Sequence, residues 1–224
     1  MNEHDPTDAP TFWRSPILTG SEHLQFINAR KADGSHVTAD LSNARRLFEP
    51  VPAGEEPAFL SLGTQGKPPA AGVADAMKIG GGFIIVSVKL SDILTRFNLG
   101  ATQLIELPIY RDEHRTPTDL PPHFMLHVCE TKDGFRPEES KGATRMNNPL
   151  TGEPLPNGPW VFRGPSEGDA IAILASDAGG VDLWGYRNLD GHMFFSDRLK
   201  QAIDAARIKS KDLTFSRCVT LPLV

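Results

Sequence analysis

The residues that could do chemistry are few and far apart. His123, His127 and Cys129 are metal-ligand types that share one face if residues 124–128 form a strand. At about 3.3 Å per residue they spread over some 20 Å, too far for one ion to reach all three, so partly buried side chains are expected and no metal. His192 beside Gly191 is a candidate base, but the sequence sets no nucleophile next to it. Ser87 and Ser196 lie outside any G-x-S-x-G setting, and each opens a helical pattern, so helix capping is their expected role. Gly80-Gly81-Gly82 precedes a strand, whereas a phosphate cradle follows one, so a turn or a close backbone approach is expected there. The acidic pairs Glu55-Glu56 and Glu138-Glu139, and the run Arg111-Asp112-Glu113-His114-Arg115, read as solvated charge. None of these patterns calls for a cofactor.

The elements that must position these residues centre on a repeated stretch. After the apolar run 193–195, Ser196 leads Leu199, Ala202, Ile203 and Ala206, which recur on one helical face, and 213–221 then alternate as on a strand. The same sequence of signals runs from Phe83 through Ser87, Leu90, Ile93, Leu94 and Phe97 to a strand over 102–109. The two serines stand 109 residues apart, and that register holds from Phe83/His192 to Leu104/Leu213. By the pairs Leu107-Pro108 and Leu221-Pro222 it has slipped to 114. A degenerate duplication, or two uses of one packing solution, is the reading. Strand–helix–strand of this length permits a parallel pair without requiring one.

Elsewhere, strands are expected at 24–27, 58–62, 124–128, 160–162 and 181–186, a short helix at 41–48, and two helical turns at 72–79. The first repeat helix is expected to run from Ser87 to about Asn98 and to end at Leu99-Gly100. Residues 131–159, rich in Gly, Pro and Asn, carry almost no apolar period, which marks a functional or mobile segment. Trp184 and Tyr186 alternate on their strand, with burial of both expected ahead of an aromatic contact face. The fold class that follows is α+β: a mixed sheet with a few short helices, containing two strand–helix–strand units at 83–109 and 192–221. The expected division is a tail at 1–10, an α+β segment at 11–79, and a main domain at 80–224.

At 224 residues, 39% hydrophobic and 23% charged, the chain can bury a core. A net charge of −5 without a basic stripe argues against nucleic acid as a partner. The apolar runs fall far below the ~18 residues that span a bilayer, and the acidic start is unlike a signal peptide. With Cys129 and Cys218 as the only cysteines, reduced thiols and a cytoplasmic location are expected.

The string 183–200, LWGYRNLDGHMFFSDRLK, carries a family resemblance. It resembles the C-terminal signature of a bacterial immunity-protein family typified by a Myxococcus immunity protein and formerly a domain of unknown function. That family shows a Trp-containing strand and then "F-V-S-x-x-L-K-x-A", matched here from Phe194 to Ala202, with Met193-Phe194-Phe195 in place of the usual aliphatic pair. Ile85-Val86-Ser87-Val88-Lys89-Leu90 matches the upstream pattern, and the resemblance covers roughly 80–221. It implies a non-enzymatic antidote, a monomer or homodimer, that binds a cognate toxin in a polymorphic-toxin or type VI secretion setting and covers its active surface. Phe135, Arg136, Glu138 and Glu139 in the aperiodic segment are the first candidate contact residues, and Arg111, Asp112, Glu113 and Arg115 the second. The alternatives are a small hydrolase-like enzyme using a His/carboxylate cleft, and an interaction module without a toxin.

Overall fold

Two capped helices, each fed by a hairpin, organise the chain. The computed structural model describes residues 10–17, 27–62, 73–162 and 171–222. Among these, three α-helices and a larger number of short strands in mixed sheets make an α+β fold. In the first unit β4 (Ala76–Lys78) and β5 (Ile84–Ser87) pair around the triple glycine. Ser87 then caps α2 (Val88–Leu94) and the chain returns as β6 (Gln103–Leu107). In the second, β12 (Leu183–Tyr186) and β13 (Leu189–Ser196) pair, Ser196 caps α3 (Asp197–Ala205), and β14 (Ser216–Arg217) returns.

A strand from elsewhere splits each unit in the same way. β8 (His123–His127) lies between β5 and β6, antiparallel to both. β1 (Phe12–Ser15) lies between β13 and β14, again antiparallel to both. The strands flanking each helix therefore run parallel without touching. The likeness continues past the helices. After β6, β7 (Ile109–Tyr110) pairs in parallel with β3 (Phe59–Leu62), and after β14, β15 (Val219–Leu221) pairs in parallel with β11 (Ala172–Leu174). Pro108 at the first junction thus corresponds to Cys218 at the second, and the two Leu-Pro pairs are not equivalent.

Strand alternation sorts the side chains into three cores. Ile84 and Val86 face Met193 and Phe195 in a central core shared with Leu90, Leu94, Leu199 and Ile203 from the helices. On the opposite face of β5, Phe83 and Ile85 pack with Met125, Leu60 and Leu41 of α1 (Ala39–Leu47). On the opposite face of β13, Phe194 packs with Trp184, Tyr186, Phe12 and Ile173. Trp184 and Tyr186 are both fully buried, as their alternation suggests.

The units are bolted to each other reciprocally. Ser196 Oγ accepts from the Leu199 N–H (3.2 Å) and donates to Asp182 Oδ1 (2.5 Å). Asp182 Oδ2 accepts from the N–H of Asn98, just past the helix of the other unit (3.0 Å). In mirror fashion Ser87 Oγ accepts from Leu90 N–H (3.3 Å) and donates to Asp75 Oδ1 (2.8 Å), while Asp75 Oδ2 takes the N–H of Lys209 beyond α3 (2.7 Å). The aspartates' own N–H groups close each loop on the Asn98 and Lys209 carbonyls. α3 has nine residues against seven in α2, which accounts for the two-residue offset of Lys209 from the serine register.

Several local expectations are corrected. Of residues 72–79, Ala76–Lys78 form β4 instead of helix. Ala76 and Met77 are buried in different cores, so no polar face remains to show a strand period. α2 stops at Leu94, and Gly100 (φ +58°) holds a separate turn against Glu130. A division at residue 80 runs through the β4–β5 hairpin, while β1 from the N-terminal segment sits inside the six-stranded sheet. The strand expected at 24–27 falls mostly outside the described residues, where β2 (Ile27–Arg30) begins. Among the described residues no helix is long and apolar enough to cross a membrane.

Candidate functional site

An arginine-lined cleft is where separate elements bring charge together. α1 begins at Thr38, whose side chain accepts from the Asp40 N–H, and ends with Arg45 and Arg46 in the last turn, where cations suit the helix dipole. Its cap, Phe48, takes a left-handed conformation (φ 56°), and its ring packs against Gly185, where any side chain would overlap it. The β12–β13 turn contributes Arg187, and the start of β13 contributes Asp190. Arg145, on β9 (Ala143–Arg145), is held over the Trp160 ring at 4.2 Å and donates to the Gly158 carbonyl at 2.6 Å. These walls enclose a cavity of about 340 Å³.

The triple glycine supports this cleft from behind. Gly81 and Gly82 have φ near +77° and +79°, and a side chain at Gly82 would stand 2.9 Å from the Arg45 guanidinium. The expectation of a turn with a close approach is met. Burial holds Arg45 below its ordinary range, and Asp190 opposes that shift. Lys78 is lowered for the same reason, then by the charge of Arg45, with Asp190 and Asp212 opposing. Arginine does not exchange protons near neutrality, so the cleft can attract and orient an anion without serving as an acid or base.

The aperiodic segment is folded. Thr131 and Phe135 bridge to Gly185 and Ile173, and Lys132 sits 3.8 Å over the Trp184 ring while donating to the Asp177 and Gly179 carbonyls. Ser140 Oγ donates to Arg136 O (2.7 Å) and accepts from Ala172 N–H (2.9 Å). β9 pairs with β10 (Trp160–Phe162), and the loop between them closes on itself. There Asn147 bridges Pro154, Asn147 Nδ2 donates to Gly152 O (2.7 Å), and Asn148 Oδ1 accepts from Leu150 N–H (2.9 Å). Leu150 stands at the tip, 93% exposed.

The candidate contact residues fare unequally. Phe135 is 2% exposed, its ring 5.9 Å from that of Tyr186; it is a core residue, because the Ile173 bridge turns its side chain inward. Arg136 is half-buried and bonds to the Asp133 and Phe135 carbonyls, while Glu138 and Glu139 are exposed. In the second set Arg111 and Glu113 are exposed. Asp112 is spent on the turn, accepting from His114 and Thr116, and Arg115 donates to Ala32 O and lies 5.0 Å over the Phe59 ring. The two sets adjoin different small sheets, the second beside β3 and the first beside β11.

His123, His127 and His192 are buried. His127 Nε2 meets Glu49 O at 2.6 Å and His123 Nδ1 meets Pro121 O at 3.1 Å; burial lowers both. His192 is 3% exposed under the Phe162 ring, and burial, then the charge of Arg14, pushes it down to about 3. Among the described residues no group of three or more His, Cys, Asp or Glu is placed to hold a metal ion. Sequence reasoning missed Leu150, although Asn-Pro and Thr-Gly bracket it as a turn tip. It also missed the cleft, whose arginines are scattered from 45 to 187 with only the Arg45-Arg46 pair adjacent. Compared with known proteins, the chain matches no family model, and no curated protein matches it significantly.

Proposed function

We propose that this chain is an immunity protein that binds a cognate bacterial toxin and covers its active surface. The observation that carries the reading is the locked tip at residues 147–154. A fully exposed leucine on a turn already held by its own hydrogen bonds loses little freedom on binding. Single exposed leucines are ordinary on surfaces; one set rigidly at the end of a β-hairpin is an anchor for a partner's apolar pocket. Glu138 and Glu139 are exposed on the same aperiodic segment of the chain. The family resemblance of residues 183–200 supplies the class of partner, and an interface of ~1,600 Å² would suffice for occlusion. The burial of His192, His123 and His127 gives the enzymatic alternative little to work with.

The test starts from the gene neighbourhood, where a toxin gene is expected, and proceeds to co-expression of this chain with that toxin domain. Wild type is expected to protect the host and to co-purify with the toxin. Leu150→Asp is expected to weaken the complex by about a hundredfold while melting within a degree or two of wild type, and Glu138→Lys/Glu139→Lys to weaken it less. Failure of the wild-type chain to protect, or full protection by Leu150→Asp, would overturn the reading.

A further inference from the structure

We propose that the arginine cleft is a binding site for a small phosphoryl compound, a ligand with at least two negative charges on phosphate oxygens. Arg45, Arg46, Arg145 and Arg187 line it against a single carboxylate, Asp190. In a chain whose net charge is −5, this concentration of guanidinium groups runs against the general balance. A lone carboxylate would leave most of that charge uncompensated. A phosphate monoester or a diphosphate offers both the charge and the oxygens that match guanidinium forks.

A second observation points the same way. Arg45 Nε is buried and has no hydrogen-bond partner within the protein, a donor of the kind that is normally satisfied. The protein gives up a side chain at Gly82 to seat this guanidinium, and Arg145 is fixed by Trp160 and Gly158 before any ligand arrives. Such preorganisation is what an anion site needs. The cavity, about 340 Å³, lies at the lower end of small-ligand pockets. A nucleic-acid strand would have to extend beyond the cleft over an acidic molecule, so a small compound is favoured over a polymer.

Isothermal titration of the full chain at low salt, with inorganic pyrophosphate, ADP, citrate and a 20-nucleotide single strand, tests the site. Pyrophosphate or ADP is expected to bind, and Arg46→Gln/Arg187→Gln to weaken it at least about tenfold. Both of those side chains are exposed, so the fold does not depend on them, and the melting curve of the variant confirms this. Arg45→Gln is expected to weaken binding further. Tighter binding of ADP than of pyrophosphate assigns the site to a nucleotide, and equal binding to the phosphoryl group itself. No heat with either phosphoryl ligand, citrate binding as tightly, the single strand outcompeting both, or undiminished affinity in Arg46→Gln/Arg187→Gln would overturn the proposal. None of these outcomes bears on toxin protection.

Discussion

His192 shows how much one position can differ between two copies of a motif. Its counterpart in the first unit is Phe83, and both are buried on the outer face of the strand before the capping serine. Phenylalanine is at ease there, whereas histidine stays neutral only because protonation is pushed down to about 3 by burial and by Arg14. The unfolded chain takes up that proton near pH 6.5, so between the two values it binds more protons than the folded chain. Stability therefore falls as pH drops from about 6.5, by up to about 1.4 kcal/mol per unit for this residue, and His123 and His127 act in the same direction. Burial by itself pushes Asp182 up, but the hydrogen bonds of Arg198, Ser196 and the Asn98 N–H outweigh it and hold the carboxyl low. Its contribution is present above the unfolded carboxyl value, near 4, and is lost only as pH falls through the lower folded value. Urea unfolding between about pH 7 and 5.5, above the unfolded carboxyl range, thus reports mainly the histidines. His192→Phe is expected to remove about one proton's worth of the slope, and an unchanged slope would count against the buried neutral state.

At the level of elements, the hairpin–helix unit is held by one serine and one aspartate doing several jobs each. Ser87→Ala and Ser196→Ala should each cost about 0.5–2 kcal/mol as lost caps. Asp182→Ala should cost more, about 2–4 kcal/mol, because this buried carboxylate is the acceptor for the part-buried Asn98 N–H and the Ser196 hydroxyl together. Arg198 grips the same carboxylate with two hydrogen bonds of 2.6 Å, and solvent at its 67% exposed side chain screens part of that gain. Chemical denaturation of the three variants checks the order, and Asp182→Ala equal to Ser196→Ala would deny the reciprocal bolt. The capping roles were legible from serine before an amphipathic run. The aspartates were not, because Asp75 and Asp182 lie 12 and 14 residues upstream of their serines and meet them only across a hairpin.

For the whole molecule, the decisive feature is that each unit is completed by a strand it does not contain. β1 lies between β13 and β14, and β8 between β5 and β6, while β4, the hairpin partner of β5, precedes residue 80. A fragment of residues 80–224 therefore lacks both an interior strand of one sheet and the hairpin partner of the other. It is expected to give no cooperative melting transition by circular dichroism, whereas the full chain melts as one unit. A sharp transition in the fragment would show that the N-terminal segment is an accessory.

The sequence by itself determined the two serine-capped helix starts, most of the strands with an alternating or aromatic pattern, the existence of the repeat, and the α+β class. These rest on period and on near-neighbour chemistry, which a linear reading contains. Only the tertiary structure decided that Phe135 is core, that β4 is a strand, that each helix-flanking pair is split by a distant strand, and that four arginines share one cleft. Those outcomes depend on which buried faces meet, and a single chain carries no periodic trace of a contact made between residues a hundred positions apart.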